Sequence, residues 1–345
     1  MRIAVVGATG AVGRLLLAML SERGVAADEV VPFASERSAG TVLDGYGEVQ
    51  PLNAETIAGF DLALFSAGGA TSREWAPQFA DAGALVVDNS SAWRMDDEVP
   101  LVVSEVNPDA IASATKGIVA NPNCTTMVAM LPLKALHDQF GLTAIVATSY
   151  QAAGGAGRSG IDELAAQVPV LHQDVDLLVS DGEKAARKVT AEVHANTLAY
   201  NVVPMLGALE ANGYTDEEMK LQNESRKILE LPQLQVSPTC VRVPVMVGHA
   251  IEIRATFERD VDLGASLEAL AAFPNLVVEE APTPPTTACD QSITEVGLTM
   301  WCCRPRSSGE RPSAKPTSWG RCKTGMFSSR LTCFAAIGCC RSRLR

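Results

Sequence analysis

Short apolar runs alternate with amphipathic segments over the first 120 residues of the chain. The apolar runs are continuous and rich in β-branched residues, which is typical of strands buried on both faces of a sheet. The runs are RIAVVG, EVVPFAS, FDLALFSAG and ALVVDNSSA, and the helix-like segments are AVGRLLLAMLSERG and SREWAPQFADAG. The alternation predicts a doubly wound parallel sheet, a Rossmann-like α/β domain over residues 1–125.

The pattern changes near Thr126. A long helix, TTMVAMLPLKALHDQFG, is predicted first, and Pro132 should kink it or limit its first segment. Alternating runs follow, LTAIVATSYQ, CVRVPVMV and HAIEIRATFERD, each typical of a sheet with one face open to a partner. Residues 126–285 are therefore predicted to form a second domain of the α+β class.

A glycine turn joins the first predicted strand to the first predicted helix. GATGAVG places glycines where backbone amides can approach a pyrophosphate at a helix N-terminus. A merely structural turn is the alternative, but the flanking strand and helix favour a dinucleotide site. The candidate cofactor residues here are Gly7, Thr9, Gly10, Ala11, Val12 and Gly13.

The end of the second predicted strand bears on which dinucleotide binds. FASERSAG puts Ser35, Arg37 and Ser38 where an acidic residue would otherwise hold a ribose 2′-hydroxyl. Glu36 is acidic, yet its neighbours offer a guanidinium and two hydroxyls suited to a phosphate. We expect NADP rather than NAD, with a solvated polar loop as the alternative.

Cys124 follows an Asn-Pro-Asn turn and precedes the long helix. Its sulfur should lie near amide donors and a positive dipole end, which predicts a lowered thiol pKa. Buried packing is the ordinary role of a lone cysteine and stays an alternative. Gln151 ends a predicted strand before the glycines Gly154 and Gly155, and Arg242 and His249 flank a Pro-Val-Met-Val-Gly bend. A Cys–His pair is one interpretation, and a core histidine is the other.

Eight stretches, in chain order, carry a resemblance to a known family. GATGAVG, FASERSAG, ALFSAGG, VDNSSAWR, ANPNCTT, SYQAAGG, DEEMKLQNESRKIL and CVRVPVMVGHA cover about residues 1–282. Together they resemble aspartate-β-semialdehyde dehydrogenase of the bacterial type. The resemblance implies NADP-dependent interconversion of L-aspartate 4-semialdehyde and L-aspartyl 4-phosphate, on the route to lysine, threonine and methionine. It also implies a homodimer or homotetramer.

The resemblance also assigns roles to individual residues. Cys124 would be the nucleophile that forms a thioester, His249 the general acid and base, and Gln151 the residue that orients the substrate. The remaining implied roles are the α-carboxylate for Arg242, the α-amino group for Glu217, phosphate for Arg94 with Lys220, and substrate contact for Asn123. Gly154 and Gly155 would approach the cofactor. No metal site is implied.

Other interpretations of these residues remain open. Glu217 and Lys220 are three apart, so they could form only a surface ion pair on a helix. Arg94 could simply offset Asp96 and Asp97. An N-acetyl-glutamyl-phosphate reductase shares the thioester chemistry, although NPNCTT differs from the Gly-Cys-Tyr-Pro-Thr turn expected there. A non-catalytic relative is a further alternative.

The composition changes near the C-terminus. The net charge of the chain is −12, yet residues 301–345 hold ten Lys and Arg against one acid, and six of the nine cysteines. We interpret residues 286–345 as a poorly ordered product of a reading-frame shift. A zinc module and a basic nucleic-acid arm are the alternatives; the former lacks C-x₂-C spacing, and basic charge alone is weak evidence for the latter. With no signal-like segment, we expect a cytoplasmic protein without nucleic-acid or membrane partners.

Overall fold

The computed structural model describes residues 1–24, 29–279, 298–302 and 330–337 of the 345-residue chain. The prediction that the tail, residues 286–345, is poorly ordered falls mostly outside these ranges. Two segments of the tail are described as strands of a sheet, although its sequence shows no strand periodicity. The hypothesis of a frame-shifted tail stays a prediction, and re-sequencing the locus would test it.

The first sheet is six-stranded and parallel throughout, in the order β5-β2-β1-β6-β7-β8. Its strands are β1 (Arg2–Val6), β2 (Glu29–Ala34), β5 (Gln50–Pro51), β6 (Leu62–Phe65), β7 (Leu85–Asp88) and β8 (Ile118–Ala120), with a small hairpin of β3 (Val42–Leu43) and β4 (Gly47–Glu48) beside it. The connecting helices are α1 (Ala11–Glu22) and α2 (Gly69–Asp81). The chain reverses its direction of winding between β1 and β6, and such a switch point leaves a crevice at the strand ends.

Aromatic packing closes one face of this sheet. Phe79 of α2 meets Phe33 and Phe65 edge to face, with ring centroids 5.8 and 5.4 Å apart. All three rings are fully buried. Edge-to-face pairs add to the ordinary gain from burying aromatic surface, so α2 is fixed firmly over β2 and β6.

Helix α3 (Cys124–Phe140) leads from the first sheet to the second. Most of its side chains are buried in one apolar core that includes residues of both sheets. Helix α3 runs through Pro132 without interruption, so the alternative that Pro132 limits its first segment is wrong, and the kink stays a prediction. Proline removes a single intrahelical hydrogen bond, and the burial of both helix faces offsets that loss.

The second sheet has the order β10-β9-β11-β14-β13-β12. Its strands are β9 (Leu142–Gln151), β10 (Gln235–Arg242), β11 (His249–Phe257), β12 (Leu276–Glu279), β13 (Leu298–Cys302) and β14 (Arg330–Ile337). Strand β10 runs parallel to β9, whereas β11 is antiparallel to both β9 and β14. Pro238 is tolerated in β10 because this strand forms the edge of the sheet. The predicted strand CVRVPVMV is thus shifted: β10 begins earlier and ends before Pro244.

Five further helices surround this sheet. They are α4 (Gly157–His172), α5 (Val175–Ser180), α6 (Gly182–Ala186), α7 (Asp216–Ile228) and α8 (Leu263–Ala272). Helix α7 begins with a capping box in which Thr215 and Glu218 exchange hydrogen bonds. This cap fixes the first turn of α7, which packs beside β10 and carries several of the predicted site residues. Among the described helices, none is long and apolar enough to cross a membrane.

Candidate active site

The nucleophile turn lies between β8 and α3. Asn123 caps the helix, since its side-chain oxygen accepts the Thr125 N–H at 2.9 Å. Asn121 anchors the turn to the first sheet by donating its N–H to the Asp88 carbonyl at 2.8 Å. Cys124 is the first residue of α3, and it is exposed although both its neighbours are buried. The turn therefore presents one thiol from an otherwise closed surface.

Three predicted site residues form a row across neighbouring strands. Gln151 ends β9 and pairs with Arg242, the last residue of β10, on one side. On the other side it pairs with His249, the first residue of β11. Adjacent strands lie about 4.8 Å apart, so the sheet brings together three residues that are distant in sequence.

Gln151 connects this row to the nucleophile turn. Its buried side-chain amide donates to Thr125 Oγ1 at 2.8 Å and to Glu217 Oε1 at 3.2 Å. The same Glu217 oxygen accepts a hydrogen bond from Asn123 Nδ2 at 3.0 Å. Because Cys124 lies between Asn123 and Thr125, these contacts fix the thiol beside the row of strand ends.

His249 is suited to act as a base. Its Nδ1 lies 2.8 Å from the Gly248 carbonyl and 3.1 Å from the Ala152 amide nitrogen. The Ala152 N–H is directed at both this nitrogen and the Gly248 carbonyl, at 3.1 and 3.3 Å. In the tautomer with its proton on Nδ1, the ring donates to the Gly248 carbonyl, the Ala152 N–H bonds that same carbonyl, and Nε2 is unprotonated. Burial lowers the pKa of His249 and outweighs the hydrogen bond to Gly248, and the Arg242 charge lowers it further. The imidazole is therefore neutral near pH 7.

Arg242 lies beside the same histidine. Its Nη1 donates to the Ala152 carbonyl at 2.8 Å. A Cβ on Gly155 would approach Arg242 Nη1 to 2.5 Å and the His249 ring to 3.3 Å, so only glycine leaves room for both side chains. Burial lowers the pKa of Arg242 against the opposing effect of Glu217. A guanidinium stays charged despite such a shift, so Arg242 supplies the positive charge of this corner.

The thiol of Cys124 does not behave as the sequence predicts. Its surface reaches solvent, but protein surrounds it on most sides, and this desolvation raises its pKa. The Glu217 carboxylate raises the pKa further, and the hydrogen bonds to Thr125 and the charge of Arg94 only partly oppose it. The prediction of a lowered pKa is therefore wrong, because a neighbouring carboxylate and desolvation outweigh the helix terminus. Removal of the thiol proton needs a base.

Glu217 and Lys220 do form the ion pair that the sequence allows, with Nζ 3.1 Å from Oε2. Lys220 also pairs with Asp216 at 2.9 Å. The contact is more than a surface pair, because Glu217 also binds Asn123 and Gln151. Burial alone would raise the pKa of Glu217, but Lys220 and the hydrogen bonds hold it below its ordinary value. The carboxylate is thus charged and fixed.

Arg94 is buried, and one of its donors binds the nucleophile turn. Nε donates to the Asn121 carbonyl at 2.9 Å, Nη2 to the Asn89 carbonyl at 2.9 Å, and Nη1 to Glu224 at 3.1 Å. Two of its five N–H groups are not used by these bonds. In the described part of the chain no bond joins Arg94 to Lys220. The predicted phosphate pair is therefore linked only indirectly.

Sequence reasoning missed Glu224 and Lys227, which continue the face of α7 that carries Glu217 and Lys220. The spacing of 3, 4 and 3 residues was the available signal, since it places all four on one side of a helix. Thr125, which receives the Gln151 amide, was also missed. Nothing in its sequence context distinguishes it from an ordinary buried threonine.

The glycine turn lies at the switch point of the first sheet. Gly7 has φ +87°, and a Cβ there would approach the Ser66 carbonyl oxygen to 2.4 Å. A Cβ on Gly13 would approach the Gly7 carbonyl oxygen to 2.1 Å, so α1 packs directly on the turn. These glycines match the tight turn and the close helix packing of a dinucleotide site.

A cavity of about 460 Å³ opens above this turn. Of the predicted residues, Gly7, Thr9, Gly10 and Ser35 line it. The other lining residues were not predicted; they are Val6, Ala34, Glu36, Leu52, Ser66, Ala67, Thr71, Glu74 and Trp75. Ala11, Val12 and Gly13 form the first turn of α1, and Arg37 and Ser38 lie in a 3-10 turn after β2. A larger cavity of about 920 Å³ beside α1 shares no residue with either site. The residues present fit a dinucleotide.

Gly154 and Gly155 lie away from this cavity, in a 3-10 turn after β9. Gly155 contacts the Arg242 and His249 corner, and a Cβ on Gly154 would meet the Met246 carbonyl oxygen at 2.8 Å. The turn is therefore part of the chemical site. Cofactor contact by these two glycines stays a prediction.

Comparison with known proteins agrees with this geometry. Residues 2–114 match the family model "Semialdehyde dehydrogenase, NAD binding domain", and residues 133–299 match "Semialdehyde dehydrogenase, dimerisation domain". Aspartate-semialdehyde dehydrogenases of Streptomyces akiyoshiensis and Corynebacterium glutamicum are each 49% identical, over 82% and 84% of this chain and 84% and 87% of those proteins.

A solved structure extends the likeness to three dimensions. The crystal structure of aspartate semialdehyde dehydrogenase II from Vibrio cholerae, complexed with ASA, superposes with a TM-score of 0.81 at 34% identity, covering 97% of this chain and 92% of that one. The two family models cover strands β1 to β7 and the row of Gln151, Arg242 and His249, whereas β8, the nucleophile turn and β14 lie outside the matched residues. The chain belongs to the aspartate-semialdehyde dehydrogenase family.

Proposed function

We propose that this protein catalyses the NADP-dependent reductive dephosphorylation of L-aspartyl 4-phosphate to L-aspartate 4-semialdehyde, in the synthesis of lysine, threonine and methionine. One observation supports this most directly. The exposed thiol at the start of α3 is fixed, through Asn123, Thr125 and Glu217, beside the row of Gln151, Arg242 and His249. Such a set can acylate a thiol and hold a charged substrate.

The first step forms a thioester. His249 Nε2 takes the thiol proton, and the Cys124 thiolate attacks the acyl carbon of the substrate. The new S–C bond replaces the C–O bond to phosphate, which leaves. His249 suits this role because it is neutral, while the raised pKa of Cys124 makes an unaided thiolate scarce.

The second step reduces the thioester and releases the aldehyde. NADPH, when bound, supplies the hydride for this reduction. His249, which still holds the thiol proton from the first step, gives that proton to the oxygen of the resulting hemithioacetal. It takes the proton back as the C–S bond breaks, and the electron pair of that bond returns to sulfur. Gln151, buried and held by Thr125 and Glu217, orients the acyl group near Cys124 during both steps.

Each charged group of the substrate is proposed to bind a different set of side chains. Arg242 receives the α-carboxylate, for which a planar guanidinium offers two parallel hydrogen bonds. Glu217 receives the α-amino group, and its lowered pKa keeps it anionic. Phosphate is held by Asn123, Lys220 and the two remaining N–H groups of Arg94.

We propose NADP rather than NAD on the basis of the turn after β2. Ser35 and Glu36 line the cavity, and Arg37 and Ser38 follow them in the 3-10 turn. Glycines 7, 10 and 13, with Thr9, Ala11 and Val12, would hold the pyrophosphate at the start of α1. Arg37 can reach a 2′-phosphate as a solvent-exposed cation. Gly154 and Gly155 would approach the nicotinamide end.

The assembly is proposed to be a homodimer or homotetramer formed through the second domain. Strand β9 exposes apolar side chains on one face, with Val146 51% and Tyr150 40% accessible. Apolar side chains on an open sheet face suit an interface between copies. We further propose the division into residues 1–125 for the cofactor, residues 126–285 for catalysis and dimerisation, and a tail at 286–345, of which β13 and β14 pair with the second sheet. The cytoplasm, which keeps thiols reduced, suits a Cys124 nucleophile.

The test is phosphate-dependent reduction of NADP⁺ by the purified protein with L-aspartate 4-semialdehyde. Activity that requires phosphate and vanishes in Cys124→Ala is the expected result. N-acetylglutamate 5-semialdehyde, assayed in parallel, distinguishes the related reductase. A folded, dimeric protein that turns over neither aldehyde would refute the proposal in favour of a non-catalytic relative.

A further inference from the structure

Helix α7 carries two charged residues beyond those that the proposed function uses. Glu217 and Lys220 lie in its first two turns, and Glu224 and Lys227 follow on the same side. The later pair does not face the substrate corner. Instead it binds the nucleophile turn and the segment that carries Arg94.

Glu224 is almost fully buried, at 1% accessibility, and both its oxygens are used. Oε2 accepts the main-chain N–H of Asn123 at 2.7 Å, and Oε1 accepts Arg94 Nη1 at 3.1 Å. Asn123 directly precedes Cys124 and caps α3. One carboxylate thus fixes both the start of the nucleophile helix and the side chain of Arg94.

Lys227 holds the main chain of the same segment. Its Nζ donates to the carbonyls of Arg94, Asp96 and Val99 at 2.9, 2.7 and 2.8 Å. Three acceptors use all three N–H bonds of an ammonium group. The segment that presents Arg94 is therefore tied to α7 at its backbone by Lys227 and at its side chain by Glu224.

We propose that Glu224 and Lys227 are positioning residues that set Arg94 and the Cys124 turn in a fixed relation to Glu217 and Lys220. The inference rests on the proposed function for the identity of the ligand, phosphate. A buried ion pair alone gives little stability over apolar packing of similar shape. Its effect here is geometric, because one helix carries both the substrate anchors and the residues that hold the leaving-group site.

Two variants separate the contacts. In Glu224→Gln the side chain keeps an acceptor for the Asn123 N–H but turns an amide donor toward Arg94. Lys227→Met keeps the length of the side chain and removes all three donors. Arg226→Gln is the matched control. Arg226 lies on the same helix, and the variant loses one hydrogen bond, to the Leu234 carbonyl at 2.9 Å. This bond does not involve Arg94 or the Cys124 turn.

The first measurement is steady-state kinetics in the direction of semialdehyde oxidation. We expect each variant to raise the KM for phosphate about 10-fold or more, with the KM for semialdehyde changed less than about 3-fold. Arg226→Gln should lower the melting temperature and leave both KM values unchanged. In a protein that already carries Arg94→Gln, adding Glu224→Gln should raise the KM for phosphate by less than about 2-fold more, because the two residues act together.

Two results would overturn the proposal. One is that the effects of Arg94→Gln and Glu224→Gln on the KM for phosphate multiply independently, and the other is that the variants lower the melting temperature and leave the KM values unchanged. A second measurement needs no turnover: the rate of Cys124 alkylation by iodoacetamide, read by peptide mass spectrometry. If the wild-type protein shows no phosphate-dependent activity, the proposed function fails and this rate decides. A change of about 3-fold or more in both variants, absent in Arg226→Gln, supports the positioning role. An unchanged rate refutes it.

Discussion

Gln151 and His249 lie directly opposite each other in the antiparallel ladder of β9 and β11, where one strand ends and the other begins. Their backbones are paired, so neither residue can move along its strand without shifting the register of the sheet. A one-residue slip would also turn each side chain to the opposite face. The register of the sheet therefore fixes the position of the proposed base, His249, relative to the orienting amide of Gln151.

The nucleophile can be tested against Cys240. Cys124→Ala should reduce turnover by at least about 10³-fold, because the reaction then lacks its exposed thiol. Cys240→Ala removes a buried thiol whose pKa is raised to about 12 by burial, so it is inert near neutral pH. This control should cost about 1 kcal/mol of stability and keep most activity. Equal loss in both variants would argue against Cys124.

The pH dependence of Cys124 follows from its surroundings. Burial and Glu217 raise its pKa, so the thiol stays protonated above pH 7 and its alkylation rate should rise with a midpoint above 9.0, its ordinary value. Glu217→Gln removes the carboxylate and should move that midpoint downward. A wild-type midpoint below 8 would contradict the geometry, and stopped pH-jump alkylation measures it directly.

The lowered pKa of His249 predicts where kcat/KM falls on the acid side of its pH dependence. Its pKa is lowered, so the base is lost by protonation only below pH 6.5, its ordinary value. The same shift makes the folded state bind this proton less well than the unfolded chain, so stability should fall as the pH falls through this range. We expect kcat/KM to stay level from pH 8 to about 6.5. A limb centred above 7 in wild type, and retained in His249→Asn, would assign it to another group.

Gly155 offers a test of the substrate corner. In Gly155→Ala the new Cβ would lie 2.5 Å from Arg242 Nη1, so the guanidinium must move while the backbone need not. We expect the KM for semialdehyde to rise about 10- to 100-fold, the loss of one charge-assisted pair. Gly182→Ala is the control, since nothing lies within 4 Å of its Cβ. A normal KM in Gly155→Ala would show that Arg242 does not bind the carboxylate.

Cofactor preference depends on the turn after β2. Arg37→Ser should raise the KM for NADP⁺ about 10-fold or more, since a phosphate loses a charged partner, and leave that for NAD⁺ unchanged. Arg158→Ser provides a comparison, because Arg158 is an exposed arginine paired only with Asp162 on α4. Parallel increases for NADP⁺ and NAD⁺ in Arg37→Ser would point to a general effect on folding rather than to recognition of the 2′-phosphate.

Local patterns predicted the local parts of the site well. The glycine turn and a helix start beside Cys124, predicted one residue late at Thr125, follow from a strand, a turn and a helix that are contiguous in sequence. The row of Gln151, Arg242 and His249 could not be predicted, because register across strands depends on packing that one sequence does not display. The thiol pKa was predicted with the wrong sign for the same reason: Glu217 approaches Cys124 only in the folded chain.

The charged face of α7 illustrates an intermediate case. Its spacing is visible in DEEMKLQNESRKIL, but an amphipathic surface helix would show the same letters. Only the contacts of Glu224 with Asn123 and Arg94 distinguish a buried polar face from a solvated one. Pro132 is a similar case. The hydrogen bond that it removes from the helix can be predicted from the local sequence, but the burial of α3 that offsets this loss cannot.

Strand β14 lies in the interior of the second sheet, between β11 and β13, yet it follows every other described strand in the chain. During synthesis the first sheet can close early, whereas β11 keeps one edge unpaired until β14 arrives. Strand β11 begins with His249, so the unpaired edge belongs to the chemical site. A nascent chain would therefore complete its dinucleotide domain well before its chemical site, and the unpaired edge of β11 is where a chaperone would be needed.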